Sequence, residues 1–90
     1  MGYRVLLTID LPGANDEQQK IFYDELLKIK LKKVKTLTTA WRISFADEFD
    51  NLYIIGLIKT FLEIAKRESN IDRVEYAMQL SKSDVVISTL

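Results

Sequence analysis

From Tyr3 to Leu11 the chain alternates, with Val5, Leu7 and Ile9 on one side and Arg4, Leu6, Thr8 and Asp10 on the other. Beyond the Pro12-Gly13 turn signal the period changes. Ile21, Phe22, Leu26 and Ile29 now recur at helical spacing. A strand shows every second side chain to one face, whereas a helix shows a stripe of every third or fourth. This change of period commits the first third of the chain to a strand followed by a helix packed against it. The outward side of the strand is only half polar, which predicts a central place in its sheet.

The helix start is marked by Asn15 with Gln18 three residues later, the spacing of a capping box. Asp16 and Glu17 come next in the first turn, where the helix dipole favours acids. Lys28, Lys30 and Lys32 crowd the far end, so the spacing predicts a helix over 16–31. Residues 33–45 are rich in Val, Thr, Trp, Ile and Phe, and Leu37, Thr39, Trp41, Ile43 and Phe45 alternate with polar or small neighbours. This predicts a strand, centred on 36–45, with a bulge near Thr36 because the stretch is long for one strand.

Residues 46–51 are polar and read as a loop. Two readings compete for residues 49–69. Either they form one long helix, or 52–58 form a strand and a helix starts at Thr60. Ile54-Ile55-Gly56 disfavours a helix interior, because β-branching and glycine both lower helix propensity. Thr60 to Glu63 has capping-box spacing. Both features favour the strand and a helix over 61–69. Residues 71–80 alternate again, with Val74, Tyr76, Met78 and Leu80 on one side, as an edge strand does. Val85 to Leu90 is a short β-prone tail.

The resulting order, β-α-β-β-α-β, is that of the ferredoxin-like split βαβ arrangement. The expectation is one α+β domain over residues 1–90: an antiparallel sheet, two helices on one face, and a short C-terminal strand. Ninety residues suit a single domain.

Composition narrows the chemistry. The chain has no Cys and no His, which excludes disulfide scaffolds, zinc fingers, thiol nucleophiles and Ser-His-Asp triads. Thirteen basic residues balance thirteen acidic ones, unlike a strongly basic nucleic-acid binder. The longest apolar run, 52–58, is far short of the roughly 20 residues that span a bilayer. A cytoplasmic protein without a membrane partner is expected.

Three features invite a functional reading. Asp10 ends the first strand before a turn, where a carboxylate can hold Mg²⁺ beside water and phosphate; the bland alternative is a turn-capping Asp. Lys28, Lys30, Lys32, Lys33 and Lys35 place five lysines within eight residues, and Lys33, Lys35 and Arg42 are the candidate phosphate contacts. The bland alternative is a solvated helix end. Trp41 and Tyr76 could stack on bases, but both sit on the apolar side of their strands and read as core. The open sheet face, with Leu6 among Arg4, Thr8 and Asp10, invites a second copy or another protein.

The opening Tyr3-Arg-Val-Leu-Leu-Thr-Ile-Asp10-Leu-Pro12 resembles the first strand of GhoS-type antitoxins. These are small ferredoxin-like endoribonucleases related in fold to the CRISPR-associated adaptation nuclease. In that type a strand Tyr-Val-Val-x-x-Asp-x-Pro runs into the first helix. Residues 52–60 and 61–67 are similar to the family's third strand and second helix, and the tail 85–90 resembles the terminal strand of the nuclease group. The family's hairpin between its second and third strands is often longer than the six residues assigned to it here. The resemblance implies Asp10 as the catalytic, Mg²⁺-binding position of a homodimeric RNA-binding or RNA-cleaving protein of a toxin–antitoxin or phage-defence system. The alternatives are a non-catalytic protein-interaction module using the open sheet face, and a small-molecule barrel, which the lack of His disfavours.

Overall fold

Val5, Leu7 and Ile9 are all 2% exposed or less, while Thr8 and Asp10 between and beyond them are open to solvent. The alternation of β1 (Arg4–Asp10) therefore separates a core side from an outward side. The computed structural model describes residues 2–46 and 48–90. After β1 come α1 (Asp16–Lys28), β2 (Lys32–Lys33), β3 (Ala40–Ser44), α2 (Asn51–Ser69) and β4 (Glu75–Ser81). The sheet order is β2-β3-β1-β4, with every neighbouring pair antiparallel. This is the ferredoxin-like arrangement, with β1 and β3 in the centre. Phe22 and Leu26 of α1 and Ile54, Ile58, Leu62 and Ala65 of α2 join Val5, Leu7, Ile9 and Trp41 in one core. Both helices thus cover the same sheet face.

The start of α1 obeys the expected chemistry. The Asn15 side chain accepts from the Gln18 backbone N–H at 2.8 Å, and the Gln18 side chain accepts from the Asn15 backbone N–H at 3.0 Å. The helix stops at Lys28 rather than continuing to residue 31. Lys30 adopts a left-handed φ of 70°, and the Leu31 N–H donates to the Leu26 carbonyl, which closes the helix end.

Strands two and three differ from expectation. Residues 33–45 are not one bulged strand but a hairpin: two residues of β2, a turn, then β3. Val34 donates to the Ala40 carbonyl, Leu37 to the Val34 carbonyl and Ala40 to the Leu37 carbonyl. The excess length for a single strand is thereby explained. Residues 52–58 are not a strand but the first half of α2. Asp50 caps that helix by accepting from the Tyr53 N–H at 2.8 Å. The buried residues Ile54, Ile58, Leu62, Ala65 and Ser69 step by three or four, and this helical stripe crosses the boundary that local propensity suggested. Thr60 caps nothing. Its hydroxyl donates back to the Gly56 carbonyl at 3.0 Å, within the helix. Losing 52–58 as a strand leaves the fold class intact, because the hairpin supplies both strands. Residues 84–90 join no ladder within the described residues, so the tail adds no strand to this sheet.

No helix is long and apolar enough to cross a membrane among the described residues.

Gly56 lies on the exposed side of α2, and a Cβ there would meet nothing within 4 Å. Gly56→Ala should stabilise the protein by about 0.5–1 kcal/mol through helix propensity alone. Thermal or urea unfolding checks this. A lower melting temperature would contradict the helical placement of residue 56.

Candidate nucleic-acid interface

The sheet face opposite the helices carries the outward residues of β1 and their cross-strand partners. Directly opposed residues of antiparallel strands point to the same side. The face is therefore a ladder of rungs. Ser44, Arg4 and Ser81 form the first; Arg42, Leu6 and Gln79 the second; Ala40, Thr8 and Ala77 the third; and Asp10 with Glu75 the last. Lys32 of β2 extends the second rung beyond Arg42. Cations occupy the first two rungs and acids the last. At ~3.3 Å per residue, Arg4 and Asp10 stand about 20 Å apart along β1.

Two adjoining clefts open at the cationic end. One, of about 380 Å³, is lined by Ile29, Lys30, Lys32, Arg42, Ile43 and Ser44. The left-handed turn at Lys30 that ends α1 brings that lysine to this wall. The other, of about 280 Å³, is lined by Arg4, Arg42, Ser44, Asp84 and Val85 among others. Arg42 and Ser44 border both. Arg4 is held in place: its Nη1 donates to the Gly2 carbonyl and its Nε to Asp84 Oδ1, both at 2.9 Å.

The residues singled out in the sequence are split by this geometry. Arg42 sits on the open face, between the clefts. Lys33 does not share that face. It is opposite Trp41, and its ammonium lies 5.5 Å from the Trp41 ring and 5.9 Å from the Tyr23 ring while donating to the Thr38 carbonyl. Lys33 is a lid over the buried Trp41 and the half-buried Tyr23, held by cation–π attraction. Lys35 is exposed in the β2–β3 turn. Lys32, Lys30 and Arg4 take the places beside Arg42 that the lysine run had suggested for Lys33 and Lys35. The missed signal is parity. Of two adjacent strand residues only one can share a face with Arg42, and the register selects Lys32.

Asp10 stands on the last rung, four residues from the level of Arg42, or about 13 Å. Glu75 is its cross-strand neighbour, but Arg73 already pairs with that carboxylate at 2.7 Å. No group of three or more potential metal ligands occurs among the described residues. The donors of one copy do not by themselves fit a Mg²⁺ centre, which needs an octahedral set of oxygens. Of the two aromatic residues read as core, Trp41 is buried and Tyr76 is partly open on the edge strand.

No family model and no curated protein matches the chain. Among solved structures, protein SP2199 from Streptococcus pneumoniae is similar in fold. The TM-score is 0.57 over 94% of this chain and 90% of that one, at 15% identity. A likeness at that identity concerns the fold alone.

The neighbourhood of Lys33 has a titration signature. Burial, and then the charge of Asp10, push the Tyr23 phenol above its ordinary value. The folded state therefore holds that proton more tightly than the unfolded chain. The stabilisation is complete below about pH 10, the unfolded value, and is lost as pH rises through the folded value. In an ultraviolet titration one of the four tyrosines should ionise late. Tyr23→Phe should remove that late step, and its persistence would contradict the assignment.

Proposed function

We propose that the protein binds single-stranded RNA by its phosphate backbone, across the cationic end of the open sheet face. The observation that carries this is the position of Arg42. It borders both clefts and so joins Arg4 on one side to Lys30 and Lys32 on the other. A guanidinium between two clefts can grip consecutive phosphates, and its planar fork matches phosphate geometry. Leu6, on the same rung as Arg42, offers apolar surface to sugars or bases. The choice of RNA rests on the likeness of the opening strand to GhoS-type antitoxins. A neutral chain can serve this purpose because four cations, Arg4, Lys30, Lys32 and Arg42, meet locally at the two clefts.

The reading is one of binding rather than cleavage. Asp10 is remote from the basic end, and one copy surrounds it with too few ligands for metal-assisted hydrolysis. Cleavage would require groups brought to Asp10 by another molecule.

A second reading is favoured by the charge pattern. A second copy laid on the open face with its strands reversed sets its Arg42 rung over the Asp10–Glu75 rung. It also brings the small Thr8–Ala77 rungs together, where two sheets can approach closely. Such a two-fold interface is self-complementary. It uses Arg42 as well, so RNA and the second copy would compete for the same face.

Binding of a labelled oligouridylate should weaken as salt rises, with a logarithmic slope of about −2 to −3 for three to four phosphate contacts. Arg42→Ala should weaken binding about tenfold and flatten the slope by about 0.7, whereas Asp10→Ala should leave binding unchanged. Equal affinity of Arg42→Ala and the parent protein would overturn the RNA reading. For the second reading, sedimentation should show dimers at low salt that Arg42→Glu dissociates; a monomer at every salt concentration would exclude it.

A further inference from the structure

We infer that the segment after β4 is a built-in competitor for this site, with the Asp84 carboxylate standing where a phosphate would bind. The inference rests on the RNA reading above and adds its regulation.

The path of the chain leads there by local chemistry. β4 ends at Ser81, directly across from Arg4. The Ser81 hydroxyl then accepts from the Ser83 backbone N–H at 3.0 Å, a side-chain turn of the kind serine favours. Lys82 anchors the bend from the other side, its ammonium 5.3 Å from the Tyr3 ring. The bend delivers Asp84 to Arg4, whose Nε donates to Oδ1 at 2.9 Å. Val85 continues into the same cleft beside Arg42 and Ser44. It also borders a shallow groove of about 290 Å³ with Leu6 and Gln79. The tail thus crosses one end of the open face.

The competition is direct. Arg4 has committed Nη1 to the Gly2 carbonyl and Nε to Asp84. A phosphate approaching the Nε edge of that guanidinium must displace the carboxylate. The latch is weak by construction. The Asp84 side chain is 79% exposed, and an ion pair so open to solvent is screened by salt. Beyond it Val86 is 90% exposed and adds no anchor. A polyanion with several phosphates can open such a latch, while a single small anion competes on nearly equal terms. The device therefore favours extended strands over isolated phosphates.

The test is fluorescence anisotropy of a labelled oligouridylate at low salt with four proteins: the parent, Asp84→Asn, Asp72→Asn and Arg42→Ala. Asp72 is an exposed acid outside the cationic clefts and controls for net charge. Asp84→Asn should bind about two- to fivefold more tightly, the range expected for loss of an exposed ion pair. Asp72→Asn should match the parent, and the gain should vanish at high salt. Equal affinity of the parent and Asp84→Asn, with Arg42→Ala weaker than both, would overturn the latch and keep the RNA site. Equal gains from Asp84→Asn and Asp72→Asn would reduce the effect to net charge and also overturn the latch. No binding by any of the four would overturn the RNA reading and the latch together. A thermal melt of each variant checks that it is folded.

Discussion

Burial of Val5, Leu7 and Ile9 along one side of β1 is the constraint that the remaining elements satisfy. Each such side chain contributes about 1.5–3 kcal/mol when fully removed from water, and together they rival the net stability of a small domain. β1 can bury them only beneath both helices, and its own backbone groups are satisfied only by strands on either side. β3 and β4 supply those strands, and α1 and α2 supply the cover. Once the inner side is committed, the outer side is set by the two-residue period. Arg4, Leu6, Thr8 and Asp10 must form a row on the open face, in that order. The candidate site is therefore the reverse side of the core.

The second half of the chain shows how local preference yields to packing. Ile54, Ile55 and Gly56 are individually poor in a helix, and the Thr60–Glu63 spacing imitates a helix start. Propensities of this kind are worth tenths of a kcal/mol up to about one. Burying Ile54, Ile58 and Leu62 on one stripe is worth several times more. The helix wins because its stripe meets the sheet and α1 at once. Asp50, in what reads locally as a polar loop, caps the true start. The topology tolerates the change because a two-residue β2 is enough to complete the edge beyond β3. Short edge strands of this kind also offer little to a foreign strand.

Charge on the open face is organised by register rather than by sequence clusters. The lysine run 28–35 looks like one patch in the sequence, yet its members diverge. Lys28 pairs with Glu25 on α1 at 2.6 Å, Lys33 turns inward over Trp41 and Tyr23, and Lys30 and Lys32 flank Arg42. Arg4 arrives from a distant part of the chain through β1–β3 pairing. Asp84 arrives from farther still and meets Arg4 across 80 positions. The face therefore holds cations, a competing carboxylate and a separate acidic end within one row of rungs.

The first strand, its inner and outer sides, the capped start of α1, the edge strand β4 and the order of the ferredoxin-like layout were all legible in the residues alone. Hydrophobic period and capping chemistry act over a few residues, so a short window contains them. The same alternation placed Asp10 on the open face beside Arg4, Leu6 and Thr8. The tertiary structure settled the rest. It folded 33–45 into a hairpin, made 51–69 one helix, and set Lys32 rather than Lys33 beside Arg42. It also brought Asp84 to Arg4 and separated Asp10 from the cations. The hairpin bonds themselves are local, from Val34 to Ala40, but they lack a Gly or Pro turn signal. The long α2 and the meeting of Asp84 with Arg4 depend on contacts between segments far apart in the chain, which no short window of sequence contains.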